Sequence, residues 1–258
     1  MARQGMIILK TPQEIEVMRE ANLIVAEILE RIGELVKPGI TTGELDAVAE
    51  RMIHKAKAKP AFKGYRMRNN SPYPACICSS VNEEVVHGIP GKRVLIEGDI
   101  LSVDVGVVRK GFVGDAARTY PVGTVSRDAE ELLQVTRESL SLGIHRAILG
   151  NRLQDISGAI QEHVEAHGFA VVREFVGHGV GRNMHEPPQV PNYRLGGWNP
   201  RLEAGMTLAL EPMVNQGTWR VELLADEWTA VTADGKLSAH FEHSIAVTED
   251  GPLILSEL

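Results

Sequence analysis

Residues 96–104 read Ile-Glu-Gly-Asp-Ile-Leu-Ser-Val-Asp, and residues 202–211 read Leu-Glu-Ala-Gly-Met-Thr-Leu-Ala-Leu-Glu. Each stretch is a glycine followed by an alternating strand, with an acid six residues after the glycine. In the first, Leu101, Val103 and Val105 share one face while Ser102 and Asp104 share the other. In the second, Leu208 and Leu210 oppose Thr207, Ala209 and Glu211. Side chains alternate with period two along a strand, so each acid stands on the small, polar face of a half-buried strand.

The elements around the two stretches repeat as well. Thr11-Pro12-Gln13-Glu14 is a capping box with proline at the first helical position. Ile15, Met18, Val25, Leu29 and Ile32 follow at helical spacing until Lys37-Pro38-Gly39. Thr41-Thr42-Gly43-Glu44 opens a second helix, and short strand-like runs lead on to Pro121. From Asp128 the plan restarts: a helical pattern to Leu149, a break at Gly150-Asn151, a helix carrying Ile156, Ile160 and Val164, then short strands. The pattern predicts an α+β fold of one domain, residues 1–258, built from pseudo-twofold halves of about 11–125 and 126–252, with a site between them. The alternative is chance likeness between two amphipathic strands.

Each half offers two strand acids. Asp115 lies in Gly111-Phe112-Val113-Gly114-Asp115-Ala116, and Glu242 in His240-Phe241-Glu242-His243. Singly, each reads as a surface carboxylate. Four on the inner faces of apolar strands need a neutralising cation, because unpaired buried carboxylates are costly. No lysine or arginine alternates with them, whereas two divalent ions balance four carboxylates. His178, in Gly177-His178-Gly179-Val180-Gly181, adds an imidazole where backbone approaches closely; His87 and His185 lie beside glycine or glutamate and proline. Such donors suit Mn, Fe, Co or Zn, and a paired-metal site suits amide or ester hydrolysis. No P-loop, G-x-S-x-G, H-E-x-x-H or G-x-G-x-x-G motif competes.

Composition narrows the classes. A net charge of -7, from 34 acids against 27 basic residues, disfavours a protein whose main work is gripping DNA or RNA. No apolar run is long enough to span a membrane, and the start of the chain lacks a signal-peptide core. Cys76 and Cys78 are too close for a disulfide framework; reduced thiols and the cytoplasm are expected.

The ordered set Asp104, Asp115, His178, Glu211 and Glu242 resembles the metal-ligand signature of the type I methionine aminopeptidases, of the pita-bread fold. The likeness runs from Thr11 to about Pro252 and includes Val81-Asn82-Glu83, His87-Gly88-Ile89-Pro90, Asp104-Val105-Gly106, Gly177 to Pro188, Leu210-Glu211-Pro212-Met213 and Phe241-Glu242-His243. It implies an antiparallel sheet covered by helices and two divalent ions. Asp104 would chelate one ion, Asp115 and Glu242 would bridge both, and His178 with Glu211 would complete the other shell. A water or hydroxide between the ions would attack the peptide. Glu211 would be its general base, and His87 and His185 would contact the substrate's peptide group.

By the same resemblance Phe62, Tyr65, Tyr73, Cys78, Met184 and Trp228 line a methionine pocket. Met184 stands where an aromatic is common, and the stretch Arg66 to Pro72 is longer than usual. The implied reaction is removal of initiator methionine from nascent chains with a small second residue; Met1-Ala2 would make the protein its own substrate. Rival readings are a Xaa-Pro aminopeptidase, which ordinarily carries a large preceding domain, and a non-catalytic pita-bread protein binding ribosomes or RNA. Arg51, Lys55, Lys57, Lys59, Lys63, Arg66 and Arg68 would suit transient ribosome contact, although a solvated helix face explains them as simply.

Overall fold

The computed structural model describes residues 5–66 and 71–258; Met1, Ala2 and Arg68 lie outside the described residues. Among the described residues four helices form, the first two where the capping boxes put them. In α1 (Pro12–Leu35) the Thr11 hydroxyl accepts from the Glu14 amide while the Glu14 carboxylate accepts from the Thr11 amide, at 3.2 and 3.1 Å. The Thr41/Glu44 pair does the same for α2 (Thr42–Lys55). Ser126 caps α3 (Arg127–Arg146), and the Asp155 carboxylate accepts from the Arg152 amide at the start of α4 (Leu153–Ala166). Helix α3 stops short of the expected Leu149, because Ala147 leaves helical dihedrals at φ -79 and ψ 50.

Among the described residues nine strands make the main sheet. They are β1 (Lys59–Pro60), β2 (Ile77–Val81), β3 (Ile100–Arg109), β4 (Phe112–Pro121), β5 (Gly177–Gly179), β6 (Glu186–Val190), β7 (Thr207–Leu210), β8 (Glu242–Thr248) and β9 (Gly251–Ile254). Its order is β1-β3-β4-β8-β7-β5-β6, with β2 also on β3 and β9 also on β8. All pairs are antiparallel. Strands β3 and β4 are longer than the short runs expected, at ten residues each, and turn through Lys110 and Gly111 at φ 50 and 80. Two successive positive φ values give the turn twist that matches a hairpin.

The halves meet where β4 pairs with β8, Ala117 opposite Glu242 and Ala116 opposite His243. Each half keeps its own core on one face of this sheet. Helices α1 and α2 pack Val25, Ile28, Ile32, Leu45 and Ile53 on Ile77, Leu101, Val103 and Val105. Helices α3 and α4 pack Leu132, Leu140, Ile156 and Ile160 on Leu208, Leu210, Ile245 and Val247. Two three-stranded sheets flank the main one. One joins Val221–Leu223 and Ala230–Thr232 to Glu84–Val86; the other joins Ser238–His240, Met213–Asn215 and Ala170–Val171. No described helix is long and apolar enough to cross a membrane.

Candidate metal centre and adjoining pocket

Register alone gathers the acids. Cys78 pairs with Asp104, Asp104 with Ala117, and Ala117 with Glu242, so one row crosses four strands. Residues directly opposite each other share a face, and so do residues two apart on a strand. Asp115, two before Ala117, therefore joins Asp104 and Glu242. His178 pairs with Ala209, which pairs with Ser244, two beyond Glu242. Glu211 follows the pair Leu210–His243 and stands two beyond Ala209. All five predicted ligands project from the face opposite the apolar cores.

The side chains converge accordingly. One donor atom from each of Asp115, His178 and Glu242 lies within 4.8 Å of the others. His178 Nε2 is 3.7 Å from Asp115 Oδ2 and 3.5 Å from Glu211 Oε1. Its Nδ1 lies 2.9 Å from the Gly179 carbonyl, which can only accept, so the proton sits on Nδ1. Burial and the neighbouring His185 lower the His178 pKa to about 3, leaving a neutral ring whose Nε2 lone pair faces carboxylates. A lone pair and carboxylate oxygens repel one another unless a cation lies between them. Asp104 Oδ1, Asp115 Oδ1 and Glu242 Oε1 are buried without a hydrogen-bond partner. Burial pushes Asp104 up to about 7 and raises Asp115, Glu211 and Glu242 well above ordinary values, with mutual repulsion adding to the last three. The donor set fits divalent metal, as expected from the sequence.

One cavity is lined by all thirteen residues singled out from the sequence: Asp104, Asp115, His178, Glu211 and Glu242 with His87, His185, Phe62, Tyr65, Tyr73, Cys78, Met184 and Trp228. Tyr73 is its hub. Its ring meets Phe62 edge-on at 6.5 Å and Trp228 at 5.1 Å, and its hydroxyl reaches the Gly88 carbonyl at 2.8 Å. Trp228 is held from behind by Asp226, which accepts from its amide at 2.9 Å, and its indole N–H donates to the Ser71 carbonyl at 3.0 Å. The Cys78 thiol is raised well above its ordinary pKa by burial and then by Asp104, so it stays protonated and apolar. Tyr65 contacts His185, hydroxyl to Nδ1, at 2.7 Å. His87, at φ 61, sets its ring edge-on to Phe175 at 5.3 Å and to Trp228 at 6.3 Å. Burial, then His185, lowers its pKa to about 4; burial lowers His185 too.

Three contributors escaped the sequence reading. His240 is buried, its Nε2 is 3.7 Å from Glu211 Oε2, and burial followed by His87 lowers its pKa to about 3. Its position two before Glu242 was the available signal. Asn192 donates to the Glu211 carbonyl at 3.0 Å from a distant loop, with no local pattern to announce it. Gly106 leaves room in the pocket: a Cβ there would lie 2.7 Å from Phe62 Cε1 and 2.8 Å from Met184 Cε.

A curled antiparallel sheet with helices on one face and a carboxylate–imidazole cluster at its seam defines the metal-dependent hydrolases of the pita-bread fold. The chain belongs to metallopeptidase family M24, whose model matches residues 16–249. It is 55% identical over 253 residues to methionine aminopeptidase 1 of Bacillus subtilis, covering 98% of this chain and 100% of that one. It is 52% identical over 252 residues to a methionine aminopeptidase of Clostridium acetobutylicum, covering 97% and 99%. Among solved structures, the methionine aminopeptidase of Thermotoga maritima superposes with a TM-score of 0.94 at 50% identity, covering 98% of this chain and 100% of that one.

Proposed function

We propose that this protein removes an N-terminal methionine from polypeptides whose second residue is small, by metal-dependent hydrolysis. The observation that carries the reading is that one cavity joins the carboxylate–imidazole cluster to a pocket of aromatic, thioether and thiol side chains. Relatives 52% and 55% identical over nearly the full chain bear the methionine aminopeptidase name, which favours this reading over Xaa-Pro cleavage or a non-catalytic role.

In this reading Asp104, Asp115, His178, Glu211 and Glu242 would hold two divalent ions, with Asp104 serving one, His178 and Glu211 the other, and Asp115 and Glu242 shared. Mn, Fe, Co and Zn all suit these donors. Bound there, the ions supply Lewis acidity toward a carbonyl oxygen and acidify water. Glu211 accepts a proton from the attacking water and passes it to the departing amine; burial, and then the Asp104 carboxylate, raises its pKa well above the ordinary value. When Tyr65 donates to Nδ1, neutral His185 carries its proton on Nε2, where it can donate to the peptide oxygen as charge develops. His87 is the second such donor. The methionine thioether packs against the edges of Phe62, Tyr73 and Trp228, with Tyr65, Cys78 and Met184 closing the pocket.

Residues 1–258 then form one catalytic unit acting on nascent chains in the cytoplasm. The exposed Arg51, Lys55, Lys57, Lys59, Lys63 and Arg66 supply a surface for transient contact with ribosomal RNA. The test is a peptide pair on metal-stripped protein titrated separately with Mn, Fe, Co and Zn. Met-Ala-Ser should be cleaved after metal addition and Ala-Ala-Ser hardly at all; equal rates would overturn the methionine pocket.

A further inference from the structure

Lys10 and Glu186 form a buried ion pair that the site as described does not use. The Lys10 ammonium lies 2.6 Å from Glu186 Oε2, and the two side chains are 4% and 3% exposed. Burying two charges costs several kcal/mol per ion before their attraction is counted, and well-packed apolar residues often do as well. Such a pair asks for a local role, and its other contacts supply one.

Glu186 Oε1 accepts from the amides of Arg182 and Asn183, at 2.9 and 3.1 Å. The carboxylate therefore forms the inside of the turn at residues 181–186, which carries Met184 and His185 into the cavity. Lys10 anchors that carboxylate to the body of the protein. Its ammonium also donates to the Ile8 carbonyl at 3.0 Å, and its amide donates to the Gly205 carbonyl at 2.7 Å, just before β7 and Glu211. The approach is tight: a Cβ on Gly181 would stand 2.5 Å from Lys10 Cε and 2.8 Å from both Glu186 oxygens. His185 itself is exposed and lies at the end of this turn, its hydroxyl partner being Tyr65.

We propose that Lys10 and Glu186 are positioning residues for His185, fixing the turn so that its imidazole meets the substrate's peptide group in the transition state. This rests on the reading of His185 as a substrate contact. A Glu186→Gln side chain is nearly isosteric but presents one amide edge in place of a carboxylate and leaves Lys10 unpaired.

The experiment is a double-mutant cycle on the metal-loaded full chain with Met-Ala-Ser, using wild type, Glu186→Gln, His185→Ala and the double variant. His185→Ala should lower kcat roughly 10²-fold with metal retained, as for one lost transition-state donor. Glu186→Gln should lower kcat about tenfold and leave KM within about twofold, and in the His185→Ala background it should lower kcat less than about twofold further. A lowered Tm with unchanged kcat, or losses that multiply in the double variant, would overturn the positioning role while leaving the proposed reaction intact. A wild type that ignores Met-Ala-Ser, or a fully active His185→Ala, would overturn it together with the reading beneath it. Where Glu186→Gln does not fold, Lys10→Arg replaces it in the cycle. Arginine keeps the charge but cannot seat a planar guanidinium where an ammonium fits, so at least a threefold loss in kcat is expected, roughly, that disappears beside His185→Ala.

Discussion

The two halves deliver their acids by different routes. In the first, Asp104 and Asp115 stand on adjacent strands of one tight hairpin, Asp104 against Ala117 and Asp115 against Gly106. In the second, Glu211 follows β7 and Glu242 opens β8, with residues 212–241 between them. That intervening stretch does not stay in its own half. Its strand Ala230–Thr232 pairs with Glu84–Val86, and Trp228 packs on Tyr73 and beside Cys78. Each half thus supplies two of the four carboxylates, whereas the pocket is drawn from them unequally. Most pocket residues come from the first half, and an excursion of the second half closes them over.

This contrast breaks at its centre first. If both halves serve one centre, removing an acid from either should disable the whole of it. Asp115→Ala should abolish metal binding by calorimetric titration and bring turnover to background. An active variant, or one still taking metal with wild-type affinity, would show that the halves hold metal separately. The next test is one-sided. Gly106→Ala adds a methyl whose nearest neighbours are Phe62 and Met184 in the pocket. A methylene-sized misfit is worth about 10–200-fold in discrimination, so kcat/KM for Met-Ala-Ser should fall in that range with metal affinity unchanged. An unaltered kcat/KM would move the methionine side chain out of this pocket.

What was legible in the sequence follows the same division. The first two helices announced themselves through Thr11 and Thr41, whose caps are local chemistry; the Ser126 cap was equally local but was not read. The strand acids Asp104, Asp115, Glu211 and Glu242 were readable because a strand's period ties each to its apolar neighbours, His178 stood out in its glycine-rich turn, and the family likeness supplied their roles as ligands. What stayed hidden is what register and distant loops decide. The row Cys78–Asp104–Ala117–Glu242 needs four strands in place before it exists. Asn192 and the Lys10–Glu186 pair join positions far apart in sequence, and nothing periodic marks them. Gly106 looked like part of a motif, whereas its use is the volume it leaves empty.

Histidines sharpen the comparison through pH. The first half contributes His87, and the second contributes His178, His185, His240 and His243. Burial lowers His178 and His240 to about 3, and His87 and His243 to about 4. Burial moves the acids of both halves the other way, Asp104 to about 7 and the remaining three well above their ordinary values. Below the ordinary histidine value of about 6.5, the unfolded chain gains protons on histidines that the folded one refuses, while the folded chain keeps protons on acids that the unfolded one has lost. The two effects oppose each other there. Above about pH 7.5 the histidines are nearly neutral in both states and the raised acids are what differs. The folded, metal-stripped protein then binds more protons than the unfolded chain, so its stability should fall as pH rises, by up to about 1.4 kcal/mol per pH unit for each proton retained. Thermal unfolding across that window measures it, and Asp104→Asn, which cannot ionise, should flatten the slope. Saturating Mn should cancel the fall, because metal replaces those protons and binds more tightly as they leave. A metal-stripped protein that grows more stable across the window would mean the acids are ionised without metal, and the electrostatic case for a shared centre at the seam would fail.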